Sequence, residues 1–255
     1  VISLGRIDAV RRLGPAGRAL PYLLALGVAL IGILALVPRP QPDAVRAPAS
    51  HVVLAGVPGL RWDDVSPTET PTLWALAERG STGALVVRSA RTPSCPIDGW
   101  LTLGAGNYTR GPDEPVDGAC PLEYPRPEPI PNGGAQLPVV EHQAIIAENR
   151  ELDNDTELGA LPEAARCSAA AGPGAALAAA RPFGRIDRYE PSVGDGLREL
   201  LAGCPLSFVD LGVVRGTGTA RVLAARQADA ALAAVLGARP DRSLVVVAGL
   251  ADTTG

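Results

Sequence analysis

The chain has 255 residues, with 23 basic against 27 acidic side chains for a net charge of −4, and no basic cluster outside its N-terminal flank. That distribution argues against nucleic acid as a partner. Its 47% hydrophobic and 20% charged residues describe a folded chain and exclude a disordered one. Every basic side chain is Arg, which together with abundant Ala, Gly and Pro reflects GC-rich coding and carries no functional meaning.

Residues 1–18 hold Arg6, Arg11, Arg12 and Arg18, and residues 19–37 (ALPYLLALGVALIGILALV) follow without a single charge. At ~1.5 Å of rise per residue this run is about long enough for a ~30 Å hydrocarbon core. The leading arginines place the N-terminus in the cytoplasm. The expectation is a single-pass protein of the cell membrane, its partner being the bilayer through 19–37 and its main domain extracytoplasmic. A cleaved signal peptide is the rival, since VRAPAS at 45–50 offers small residues to a peptidase; the apolar run is longer than the ~7–15 residues usual for one. Residues 38–50 (PRPQPDAVRAPAS) read as a semi-extended Pro-rich linker.

The domain then spans 51–255. HVVLAGV at 51–57 is a short apolar run closed by Pro58-Gly59, which predicts a buried strand and a turn. Thr70-Pro71 opens a helix with Leu73, Trp74, Leu76 and Ala77 on one face, and Gly80 ends it. ALVVRS at 84–89 predicts a second strand, and the three elements together a parallel βαβ unit. Residues 111–160 show little periodicity and read as a long excursion. Helices are predicted near 174–180, 193–201 and 219–236, and strands near 185–189, 206–212 and 243–250. The class is therefore α/β, a mostly parallel sheet flanked by helices and preceded by one transmembrane helix. The last strand opens a loop at Gly255, so a longer protein is expected, incomplete here at its C-terminus.

Four cysteines, Cys95, Cys120, Cys167 and Cys204, fall on the predicted outer side. An even count in an oxidising compartment predicts disulfides; four cysteines allow three pairings, and the sequential one, Cys95–Cys120 with Cys167–Cys204, closes the shortest separate loops. No CxxC spacing is present for a thiolate zinc site. Four buried free thiols are the alternative.

Four segments carry a resemblance. VVLAGVPGLRWDD (52–64), TPTLWALAERGSTGAL (70–85), TPSCPIDGWLTLGAGN (92–107) and the pair FVDLG (208–212) and VVVAGLADTTG (245–255) resemble the alkaline phosphatase superfamily. The likeness is to its nucleotide pyrophosphatase/phosphodiesterase and phosphoglycerate mutase-like branches, and in detail to membrane proteins of GC-rich bacteria carrying PGLRW and DGWLTLGAGN. The resemblance implies an alkaline phosphatase-like core and a centre of two divalent cations that activate a hydroxyl nucleophile and hold phosphoryl oxygens. By position the nucleophile falls on Ser94, and metal-binding carboxylates on Asp210 and Asp252. Asp98 is a further candidate cation ligand at the strand ends.

The departures bear directly on that chemistry. Pro58 stands where the family has its first metal carboxylate, Val213 or Val214 where it has histidine, Ile97 where the phosphodiesterases hold phosphate, and Thr253 where histidine follows the last Asp. The two histidines, His51 and His142, match no ligand position. Each candidate also has a plainer role. Ser94 reads as a turn serine or N-cap, Asp98 as a cap, and Asp210 and Asp252 as caps of following helices. GAGN (104–107) and GPGA (172–175) resemble phosphate-cradling turns only loosely. Asn107-Tyr108-Thr109 and Asn154-Asp155-Thr156 fit the glycosylation sequon.

Two functions follow. One is an extracytoplasmic domain that keeps the phosphatase-like fold without hydrolysis and binds a protein or envelope ligand, with no cofactor. The other is a metal-dependent phosphohydrolase or phosphotransferase on Ser94, Asp98, Asp210 and Asp252, using zinc, magnesium or manganese and completed by sequence beyond Gly255.

Overall fold

The computed structural model describes residues 49–252; the predicted span at 19–37, its flank, all but the end of the linker, and Thr253 lie outside them. Among the described residues no helix is long and apolar enough to cross a membrane.

The first strand, β1 (His51–Gly56), forms where the sequence predicts it. Its β-branched, alternating side chains bury on both faces: Val53, Ala55 and Val57 on one, Val52 and Leu54 on the other. Helix α1 (Pro71–Arg79) follows with Pro at its first position. The predicted strand at 84–89 does not form. Leu85 and Val86 are 63% and 73% exposed, so this extended run has neither a ladder partner nor an apolar surface to bury against among the described residues. The expected βαβ unit of adjacent strands is accordingly absent.

Helix α2 (Pro96–Ala105) comes next. The 111–160 excursion is more regular than its composition indicates. It contains β2 (Glu128–Ile130), β3 (Gly134–Gln136) and α3 (Val139–Arg150), then α4 (Ala160–Ala165) completes the layer. Helix α3 escaped the periodicity test because it buries only His142, Ile145 and Asn149, two of them polar. The remaining elements are β4 (Ser168–Ala171), α5 (Pro173–Ala179), β5 (Arg185–Ile186), β6 (Arg188–Glu190), α6 (Leu197–Gly203), β7 (Leu206–Asp210), α7 (Gly218–Ala238) and β8 (Ser243–Ala248). The single strand expected at 185–189 is thus two, and they belong to different sheets.

The main sheet has five strands in the order β6-β4-β7-β1-β8. All four pairings are parallel, with Val52 opposite Leu206 on one side and Leu244 on the other. Strands β2, β3 and β5 form a small antiparallel sheet. Helices α1, α6 and α7 cover one face of the main sheet around Val53, Leu201, Val209 and Leu232. Helices α2 and α5 cover the other around Trp100, Leu177 and Phe208. Burying each large side chain contributes roughly 1.5–3 kcal/mol. The second layer is unusually close because its residues are small. A Cβ on Gly104 of α2 would lie 2.6 Å from the Ala178 carbonyl of α5. Both helices therefore need backbone contact, which the Ala-rich stretch from Ala169 to Ala180 permits. The carboxyl ends of the parallel strands point the same way, and Ser94, Asp98, Asp210 and Asp252 gather at that end of the sheet.

Candidate functional site at the strand ends

Ser94 and Asp252 meet. The Ser94 amide donates to Asp252 Oδ2 at 2.8 Å, and the Asp252 amide donates to the Ser94 carbonyl at 2.9 Å. This ring fixes the backbone before α2, and Ser94 is buried. No imidazole or carboxylate hydrogen-bonds its hydroxyl among the described residues, although the Asp252 carboxylate lies against its amide.

Asp98, at the third position of α2, is fully buried and fully engaged. Its Oδ1 accepts from Arg91 Nη2 and the Gly111 amide, both at 2.7 Å. Its Oδ2 accepts from Arg91 Nε at 2.9 Å and the Cys95 amide at 2.8 Å. It is the cap that one sequence reading foresaw, joined to a two-pronged ion pair that the sequence did not disclose. Burial works to lower the Arg91 pKa, and the hydrogen bonds and charges of Asp98 and Glu114 outweigh it, so the guanidinium is held charged. Neither oxygen of Asp98 retains a lone pair for a cation. The Cys95–Cys120 disulfide fastens the same helix start, with an S–S distance of 2.00 Å. Cys95 is therefore no nucleophile. Cys167–Cys204 ties the starts of the parallel neighbours β4 and β7, at the other end of the sheet. Both predicted pairings form, and no described cysteine is free. They suggest an oxidising, extracytoplasmic setting for this domain.

Asp210 closes β7. Its Oδ2 accepts the Gly174 amide at 3.0 Å and its Oδ1 the Gly212 amide at 2.9 Å. Burial raises its pKa, and those two amides pull the other way without cancelling the rise. The GPGA turn thus cradles a carboxylate of the chain itself. Tyr124 and Tyr189 have raised pKa values from burial first and the Asp210 charge second.

Trp100 decides what the strand ends can accommodate. A Cβ on Gly56 would lie 2.4 Å from its Cη2, and one on Gly174 would lie 2.3 Å from its Nε1 and 2.6 Å from Asp210 Oδ2. The fully buried indole therefore extends from the end of β1 to the carboxylate on β7. Its Nε1 and the Tyr124 hydroxyl are both buried, and neither makes a well-formed hydrogen bond among the described residues. Gly99-Trp100, a large ring beside a glycine, is the sequence signal for this plug.

At the strand ends, by the start of α2, lies a cleft of about 60 Å³ lined by Gly59, Pro96, Cys120, Val214, Arg215 and Asp252. Pockets for drug-sized ligands run to roughly 300–1,000 Å³, so this one suits only a small group or the edge of a larger ligand. Among the described residues no three His, Cys, Asp or Glu side chains are grouped to hold a metal ion. With Asp98 saturated and Asp210 tied to two amides, this donor set does not fit a two-cation centre of zinc, magnesium or manganese. Both histidines lie elsewhere. His51 starts β1, and His142 is buried on α3, where desolvation lowers its pKa.

The two sequon asparagines bridge their loops. Asn107 Nδ2 donates to the Asn154 carbonyl and Asn154 Nδ2 to the Tyr108 carbonyl, both at 2.8 Å, so each amide nitrogen is committed to the other's loop. No protein-family model matches the chain, and no curated protein matches it.

Proposed function

We propose that this domain is a membrane-held, extracytoplasmic binding module of alkaline phosphatase-like architecture that does not hydrolyse esters. It engages a protein or envelope ligand through the cleft at the strand ends. The observation that carries the reading is the Trp100 indole lying between Gly56 and Asp210, where parallel α/β folds place their ligands. Without a strongly held cation, the Ser94 hydroxyl keeps a pKa far above neutrality and is a poor nucleophile. The opposing reading, a metal-dependent phosphohydrolase or phosphotransferase, draws on the meeting of Ser94 with Asp252.

The two readings separate in one assay. The full chain is offered a phosphomonoester, a phosphodiester and a sulfate ester with zinc, magnesium or manganese. We expect no turnover above the metal-only blank. Metal-dependent hydrolysis abolished by both Ser94→Ala and Asp252→Ala would establish the enzyme instead.

A further inference from the structure

Five stretches of chain close around the cleft at the strand ends: the turn after β1, the start of α2, residues 119–122, the loop after β7, and Asp252 beyond β8. Each wall is fixed. The Val214 amide donates to the Pro58 carbonyl at 2.9 Å, joining the loop after β7 to the turn after β1. Arg221 Nη2 donates to the Gly59 carbonyl at 2.8 Å, which holds that turn from α7. The Cys95–Cys120 disulfide ties residues 119–122 to α2. The paired backbone bonds of Ser94 and Asp252 hold the last wall. A cleft whose walls are set in advance loses little ordering entropy on binding.

Of the residues that line it, two are charged, Arg215 and Asp252. Asp117 and Glu123, close in sequence to the 119–122 wall, do not line it. Arg221 is committed to Asp64, and Arg91 to Asp98. Arg215 is exposed and makes no hydrogen bond or ion pair among the described residues. Asp252 spends Oδ2 on the Ser94 amide and leaves Oδ1 without a partner among them. The two charges share one cleft and yet do not pair with each other. Pro96, Leu122, Val213 and Val214 make the rest of the lining largely apolar.

A ligand with a single charge is attracted by one of these groups and repelled by the other. A ligand with an anionic and a cationic group is attracted by both. The volume of about 60 Å³ is several times the ~10–15 Å³ that one water needs, so it takes a molecule of a few heavy atoms. We infer that the cleft binds an α-amino acid with a small apolar side chain. Its carboxylate meets the Arg215 guanidinium, whose planar fork suits a pair of oxygens. Its ammonium meets Asp252 Oδ1, and its side chain lies against Val213 and Val214. The inference rests on the cleft being the ligand site of the proposed module, and names the chemistry that an envelope ligand presents there.

The test uses the full chain in detergent and ligand-observed saturation-transfer NMR, with L-alanine, propionate and ethylamine as probes. Propionate is alanine without its ammonium and ethylamine is alanine without its carboxylate; each keeps a methyl group to observe. We expect alanine to bind at least about threefold more tightly than either. Arg215→Gln should erase its advantage over ethylamine. Asp252→Asn should erase its advantage over propionate while keeping an oxygen for the Ser94 amide. Arg215 is exposed, so its variant carries the test should Asp252→Asn fail to fold. Propionate binding as tightly as alanine, with both weakened by Arg215→Gln, would overturn the amino acid and keep the cleft as an anion site. Alanine binding unmoved by either substitution would place the contact elsewhere and overturn the cleft reading with it. No saturation transfer to any of the probes would overturn the inference alone, since the hydrolysis assay above judges the module separately.

Discussion

Asp210 is a carboxylate that the fold buries and only partly compensates. Two backbone amides stabilise its charged form, and desolvation still raises its pKa above the ordinary Asp value of about 3.9. The sign follows by linkage. Its contribution to stability is fully present below the unfolded pKa of about 3.9 and is lost as pH rises through the higher folded value. Asp210→Asn removes that loss while keeping an oxygen for one of the amides. The stability difference, variant minus parent, should therefore climb from about pH 4 upward and level off above the folded pKa. Urea unfolding at a series of pH values checks it. A flat difference would show that the charge is not what burial penalises. At this scale the sequence disclosed which residues reach the strand ends, Ser94, Asp210 and Asp252 among them. It did not disclose that Asp98 would be spent on Arg91, because seven residues of separation say nothing about a fork closing around a buried carboxylate.

Helix α1 shows how one element depends on another far along the chain. Its N-cap residue, Thr70, makes no side-chain cap bond and instead donates its hydroxyl to the Asp64 carbonyl at 2.8 Å. The orphaned amides of Thr72 and Leu73 are satisfied by Asp229 of α7, at 3.2 and 2.7 Å. A carboxylate at a helix N-terminus also meets the positive end of the helix dipole. Asp229 is buried, so its removal leaves both donors without water. Asp229→Ala should cost about 1–3 kcal/mol in chemical denaturation, and Asp229→Asn less, since an amide oxygen still accepts one bond. Equal losses for the two variants would mean that charge, not hydrogen bonding, holds α1. The position of α1 was legible from Thr70-Pro71 and the spacing of Leu73 and Leu76. Its true cap was not, since the partner lies more than 150 residues away. The failure at 84–89 has a related cause: ALVVRS has the composition of a strand, but a strand exists only where a neighbour completes its hydrogen bonds.

Across the whole molecule the disulfides do what local contacts do not. They close loops with separations of 25 and 37 residues, one at each end of the sheet. By restriction of the unfolded chain each should contribute about 3.5–4 kcal/mol. Native domains hold only about 5–15 kcal/mol in total, so losing both bridges removes much of the margin. Reduction of the full chain should lower the thermal midpoint of this domain by about 15–30 °C, measured by circular dichroism with and without reductant. An unchanged midpoint would show that the packed sheet suffices alone. The sequence by itself determined the α/β class and the positions of β1, α1, α5, α7 and β8, and it favoured the sequential cysteine pairing among three, because periodicity, caps and loop closure are properties of neighbouring residues or of simple chain entropy. Only the tertiary structure decided that β1 lies between β7 and β8 and that Trp100 fills the space over the strand ends. Those outcomes follow from burying two faces of one sheet at once, a condition that binds residues 150 and more apart and leaves no trace in the spacing of either.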